Sequence, residues 1–182
     1  MFGYGSSPLE VLAAQAMVNG LVYLDEFTYS TFWQLGDTSA LPANGEMTQR
    51  IQINSDSDFI AQSYNLVANG ISANDILGLP DYSITITRAG SGRDIMNNPQ
   101  KVLNFCGNYF NGNGAGGNSA NFPGWKSISS LYQGNSTVSI RLQNPTSLAP
   151  YRVEFAMVGF KVFYQTNRSG QTGNRQDIFH AL

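Results

Sequence analysis

Charge is what this chain has least of. Only 12% of its 182 residues are Asp, Glu, Lys or Arg, about half the usual share of a globular domain. Long solvated helices, which need Glu and Lys on their outer faces, are therefore excluded as the main architecture. The formal net charge of −2 likewise excludes a chain built to coat nucleic acid. The single cysteine, Cys106, allows no internal disulfide and fits assembly in a reducing cytoplasm. The single histidine, His180, lies near the end of the chain, where a Ser-His-Asp arrangement is not expected and an exposed or interface role is the plain reading. No Lys or Arg precedes Arg50; a secretory signal needs a positive first segment and a transit peptide needs arginines, so neither is expected. No apolar run approaches the ~18 residues of a membrane span.

Glycine, asparagine and aromatics fill the space that charge leaves, with 19 Gly, 9 Tyr and 11 Phe. This is the composition of strands joined by many tight turns. The charge that exists is segregated: Glu10, Asp25, Glu26, Asp37 and Glu46 are the only charged groups among residues 1–49. An acidic amino-terminal segment on a mildly basic body suits subunit-to-subunit contact, although a chance distribution gives the same sums.

One helix is predicted. Ser7-Pro8-Leu9-Glu10 offers an N-cap, a proline at the first helical position and a glutamate to close a capping box. Leu9, Leu12, Ala13, Ala16 and Met17 recur at helical spacing, and Asn19-Gly20 supplies a stop. Residues 1–20 therefore read as an arm whose helix either caps the sandwich or docks its apolar stripe elsewhere, with a neighbouring subunit or the shell as the expected surface. After it the period changes to two. Strands are predicted at Leu21–Leu24, Phe27–Trp33, Met47–Ile53, Phe59–Val67, Tyr82–Thr87, Val102–Phe105, Ser136–Leu142 and Tyr151–Tyr164. The last is apolar on both faces and so central, with Gly159 a bulge where the facing pattern slips. The fold class is all-β, an antiparallel β-sandwich or jelly roll with a short N-terminal helical arm. The expected divisions are an arm at 1–20, a sandwich at 21–166 and a tail at 167–182.

Four stretches could carry chemistry. Gly112–Gly117 spells G-x-G-x-x-G but opens no helix, and Gln143-Asn144 stand about 20 residues on where a ribose-binding carboxylate belongs; a long loop is the reading, and no cofactor is expected. Asn54-Ser55-Asp56-Ser57-Asp58 resembles half of a calcium loop, yet Phe59 stands where that loop needs glycine and Asn65 where it needs the closing glutamate. Either a lone calcium sits there or, more ordinarily, the side chains bond turn amides before a strand. The acidic pairs Asp25 with Glu26, Asp56 with Asp58 and Asp75 with Asp81 offer a glycosidase arrangement that any twelve acids would offer. Phe32, Trp33, Tyr109, Phe110 and Trp125 suit a sugar groove, or a core or interface. No catalytic set and no metal site is predicted. The candidate interface residues are Leu9, Leu12, Met17, Tyr109, Phe110 and Trp125.

One combination is more specific than composition. Gln49–Phe59 closes on Ser-Asp-Ser-Asp-Phe, Gly134–Asn144 reads GNSTVSIRLQN, and Val158-Gly159-Phe160-Lys161 lies in the closing strand. Over about residues 40–165 this resembles the capsid decoration (cement) proteins of tailed bacteriophages. The resemblance implies a jelly-roll virion protein, made in the host cytoplasm, that binds the major capsid protein on the outer shell and associates with itself, in the family's manner as a trimer. It implies no enzyme activity, nucleic acid or membrane. The alternative class is a receptor- or carbohydrate-binding module of a tail or fibre, or a neck or tail component.

Overall fold

The computed structural model describes residues 7–34, 45–70, 83–89, 99–101, 125–143 and 151–179. They form helix α1 (Pro8–Val18), strands β1 (Val22–Gln34), β2 (Glu46–Gln52), β3 (Asp58–Gly70), β4 (Ser83–Ala89), β5 (Gln100–Lys101), β6 (Trp125–Tyr132), β7 (Thr137–Gln143) and β8 (Tyr151–Tyr164), and a terminal helix α2 (Arg175–Phe179). One sheet has the order β1-β8-β3-β6 and the other β2-β7-β4-β5. Every neighbouring pair is antiparallel. First pairs with last, second with seventh, third with sixth and fourth with fifth, which is the wrapped-hairpin order of a jelly roll.

The interior is asymmetric. The first sheet contributes mainly aromatics, Tyr29, Trp33, Phe59, Tyr64, Tyr132 and Phe155. The second sheet's members of this cluster are aliphatic, Ile51, Ile53, Ile84, Ile86, Val138, Ile140 and Leu142. The period-two reading of β2 and β7 holds: Ile51, Val138, Ile140 and Leu142 are inside while their neighbours face out. Flat rings against branched aliphatics fill an interlayer gap with few rotamers to freeze. β8 is central, as expected, because it packs on both faces.

That second face explains the helices. Leu9, Ala13 and Ala16 of α1 cluster with Val22, Ile60 and Val162 on the outer side of the first sheet, joined by Ile178 and Phe179 of α2. The capping box is present, with Ser7 Oγ accepting from Glu10 N and Glu10 Oε2 from Ser7 N. Of the two destinations named for α1, the structure shows the cap on the sandwich, and the preference for a neighbouring subunit or the shell is corrected. The buried stripe of α1 lies on its own sheet, since a helix this short needs a tertiary surface and the even-numbered residues of β8 supply one. The tail reading of 167–182 is corrected too: Thr166 bridges Thr172, and α2 buries Ile178 and Phe179.

Three strand expectations also change. The two segments 21–24 and 27–33 are one strand, β1, because Asp25 and Glu26 sit in an edge strand where carboxylates reach solvent. β6 went unread: its serines gave no apolar alternation, and it pairs with β3 all the same. The expected strand at 102–105 lies outside the described residues, as does Tyr82. The bulge is on β3, not at Gly159. Register shifts between Ala61 and Ser63 on both sides: against β8 Gln62 is the extra residue, and against β6 Gln62 faces two residues, Ile128 and Ser129, whereas β8 runs against β1 without a slip. The bulge lets Phe59, Ala61 and Tyr64 all face inward. Gly159 lies opposite, and a Cβ there would sit 1.9 Å from the Ile60 carbonyl oxygen. Gly159→Ala is expected to cost at least ~1–3 kcal/mol by overpacking, read as a lower urea midpoint; an unchanged midpoint would contradict this close approach.

Candidate functional site

The segments that carry the phage resemblance meet in space. Asp58, at the start of β3, is buried with only 6% of its surface exposed. Its Oδ1 accepts from Gly134 N at 2.7 Å and from Arg175 Nη1 at 3.4 Å, and its Oδ2 accepts from the Tyr164 hydroxyl at 2.6 Å. Arg175 is also held by the Gln133 amide oxygen at 2.8 and 2.9 Å, in the amide orientation that satisfies both groups. Beside it, Lys161 Nζ lies 3.7 Å from Asp56 Oδ2 and 4.4 Å from the centre of the Phe27 ring. Lys161 is 7% exposed, so its stem is packed while its charge is met by a carboxylate and a ring face. A Cβ on Gly134 would come within 2.8 Å of the Ser57 carbonyl oxygen, and Asn135 takes a left-handed φ of 62° to finish the turn. Aspartates, glycine turn and lysine are thus one polar lock, closing the end of the sandwich where α2 docks.

The lock accounts for the half-calcium loop. Its acidic oxygens face an ammonium, a guanidinium, an amide N–H and a phenol, which suits bonding of turn amides and cations already present in the chain. Among the described residues no three of His, Cys, Asp and Glu gather. Burial first, then the hydrogen bond to Asp58, pushes the Tyr164 phenol well above its ordinary value; Tyr164 therefore donates at every physiological pH.

A second polar group lies between the sheets. The Tyr64 and Tyr132 hydroxyls are hydrogen-bonded to each other, and the Arg88 guanidinium sits 4.8 Å from the centre of the Tyr132 ring. Burial is the first cause pushing both phenols up, with Arg88 opposing it. Among the described residues the Arg88 Nε is buried without a hydrogen-bond partner. Unfolded phenols ionise near pH ~10, where the folded pair keeps its protons. The stability this gives is present below that pH and lost as pH rises above it. We expect the urea midpoint to fall steeply above pH ~10 and Tyr64→Phe to shallow that fall while costing ~1–3 kcal/mol at neutral pH; an equally steep fall in the variant would refute the assignment.

The third feature is on the outer face of the first sheet. A hollow of 460 Å³ is lined by Glu26, Phe27, Thr28, Gln62, Val158, Gly159 and Phe160. It opens where the bulge residue Gln62 donates to Glu10 Oε1 at 2.8 Å, tying α1 to the sheet. Large apolar side chains are exposed around this face and its cap, Val11 at 42%, Met17 at 45%, Val18 at 83% and Phe32 at 48%, whereas Tyr23, 52% exposed, projects from the opposite face of β1 beside Phe163.

The candidate interface residues are dispersed by this geometry. Leu9 is buried and Leu12 half-buried in their own chain, while Met17 is exposed. Trp125 opens β6, its backbone opposite Asn65. Tyr109 and Phe110 lie outside the described residues, with Cys106, His180, Asp75, Asp81 and the Gly112–Gly117 loop. Of the sugar-groove aromatics, Trp33 is fully buried. Val11, Val18 and Tyr23 were missed by the sequence reading; the i, i+7 spacing of Val11 and Val18 opposite the capped stripe was the available signal.

No family model and no curated protein matches this chain. Among solved structures, dimeric latent PorU from Porphyromonas gingivalis is similar at a TM-score of 0.32 and 10% identity, over 77% of this chain and 13% of that one. The arabinose-bound α-L-arabinofuranosidase MgGH51 is similar at a TM-score of 0.28 and 13% identity, over 92% of this chain and 26% of that one. The chain thus spans about an eighth and about a quarter of those proteins, and likeness at that level carries no functional argument.

Proposed function

We propose that this protein is a structural virion subunit that binds the outer surface of a phage capsid and stabilises it, without enzymatic activity. The observation that carries the reading is the exposed apolar set Val11, Met17 and Val18 of α1 on a surface poor in charge. Apolar, charge-depleted surface of this kind marks interaction sites. The jelly-roll fold supports the reading as an architecture used by viral capsid and lectin domains. The resemblance supports it further, because its three motifs act as one unit in the lock and not as scattered matches. The capsid-facing surface is then the exposed side of α1, and the lock is the part that lets a small domain survive on a pressurised shell.

Co-sedimentation tests this. Purified protein is mixed with intact undecorated heads, with isolated tails and with bacterial surface glycans. It is expected to pellet with heads alone, and Val11→Asp with Val18→Asp is expected to abolish pelleting while leaving the circular dichroism unchanged. Pelleting with glycans or tails in place of heads would replace this reading with the receptor-binding or tail-component one.

A further inference from the structure

We propose that the outer edge of β1 is a self-association edge, at which a second copy of this chain adds its own β1 antiparallel across a two-fold axis through Thr28. The inference stands on the fold alone and is independent of the capsid reading.

β1 is the outermost strand of its sheet among the described residues, and at 13 residues it is longer than the opposite edge strand β6, with 8. An edge strand directs alternate N–H and C=O groups outward, and natural edges are usually blunted by lysine, proline, bulges or shortness. β1 carries only two charges, Asp25 and Glu26, and none of the other devices: VYLDEFTYSTFWQ contains no Lys, Arg, Pro or Gly and runs against β8 without a register break. The neighbouring edge is treated differently. The Trp33 indole N–H donates to Met47 O in β2, and the Tyr29 hydroxyl accepts from Asn54 N just beyond it. Side chains of β1 therefore occupy main-chain groups along β2, while β1 itself remains a long, regular template.

The occupant follows from self-complementarity. Residues directly opposite in an antiparallel pair share a face, so a two-fold axis on a residue of β1 keeps inner face with inner face. With Thr28 on the axis, Phe27 of one copy meets the partner's Tyr29, Glu26 meets the partner's Ser30, Asp25 meets the partner's Thr31, and Leu24 meets the partner's Phe32. Both carboxylates face hydroxyls, no like charges are opposed, and Phe32, 48% exposed in one copy, gains an aliphatic neighbour. Such cross-strand pairs are the unit of sheet stabilisation. Moving the axis to Tyr29 would set Glu26 against Phe32 and Asp25 against Trp33. Thr28 is exposed on the outer face of the sheet, so changes there act on the pairing and not on the core. The contact is two-fold, and a three-fold assembly would use another surface of the subunit.

Sedimentation equilibrium of the full chain is expected to show reversible dimers. Thr28→Lys, which opposes two ammonium groups at the axis, is expected to weaken the dimer several-fold with unchanged circular dichroism. Ser30→Lys, which sets an ammonium opposite the partner's Glu26, is expected to tighten it several-fold. In a Cys106→Ser background, Thr28→Cys is expected to give a disulfide-linked dimer on mild oxidation far faster than Gln15→Cys on α1, because opposed Cα atoms at ~4.5–5.5 Å suit a disulfide. A chain that stays monomeric at all concentrations overturns the proposal. So does Thr28→Cys cross-linking no faster than the α1 control, and this second test applies even if Thr28→Lys fails to fold.

Discussion

Trp33→Ala is expected to destabilise the sandwich by ~3–5 kcal/mol, enough to unfold a domain of ordinary stability on its own. The indole is fully buried on the inner face of β1, and its N–H donates to Met47 O at 3.2 Å, joining the aromatic sheet to the edge of the aliphatic one. Truncation removes a large apolar area, leaves a cavity between the layers and strips a β2 carbonyl of its donor. Trp33→Phe separates these terms: it keeps most of the ring burial and loses the hydrogen bond, for ~1–3 kcal/mol. Urea titrations followed by circular dichroism measure both. A loss below ~1 kcal/mol for the alanine variant, the range of ordinary surface changes, would mean the two sheets do not pack through this residue.

Asp58→Ala is the second large effect, at least ~1–3 kcal/mol, the scale of leaving part-buried donors without their acceptor, because Arg175 itself is partly exposed. The carboxylate serves three donors from three parts of the chain: Gly134 N in the β6–β7 turn, the Tyr164 hydroxyl at the end of β8, and Arg175 in α2. All three are stranded at once in the variant, and α2 loses the ion pair that orients it. Asp58→Asn keeps the shape but turns an amide N–H toward a donor, so its cost should fall between zero and that of alanine. Lys161→Met tests the neighbouring half of the lock. Its ammonium pairs with a half-exposed Asp56, a contact worth little in water, while its stem stays packed, so a change below ~1 kcal/mol is expected. Equal losses in Asp58→Ala and Lys161→Met would show that the lock is not centred on Asp58.

These two residues also show what the sequence could disclose. Trp33 was legible as a strand residue through alternation but not as the bridge between sheets, because its partner is a backbone carbonyl 14 residues away that no pattern marks. The Ser-Asp-Ser-Asp-Phe stretch was legible as turn chemistry. Its true partners, Arg175 and Tyr164, lie more than 100 residues on and became visible only once the jelly roll wrapped the first strands against the last. The helix was legible to the residue, since capping is local: Ser7, Pro8 and Glu10 decide it within one turn. Its destination was not, because burial of Leu9, Ala13 and Ala16 depends on the even-numbered face of β8, whose apolar character had been credited to central position alone. β6 escaped because its serines carry no period, and its pairing with β3 is fixed by tertiary context. The bulge was sensed at Gly159, but the glycine marks the close backbone approach and the extra residue is on the facing strand.

A single count tests the functional account most directly: the molar ratio of this chain to the major shell protein in purified virions, by quantitative mass spectrometry with labelled peptides. A capsid-surface subunit predicts a fixed stoichiometric ratio, with copies numbering a constant fraction of the shell protein across preparations and falling away when heads are stripped but not when tails are removed. A handful of copies per particle that leave with the tails, or none at all, would contradict it.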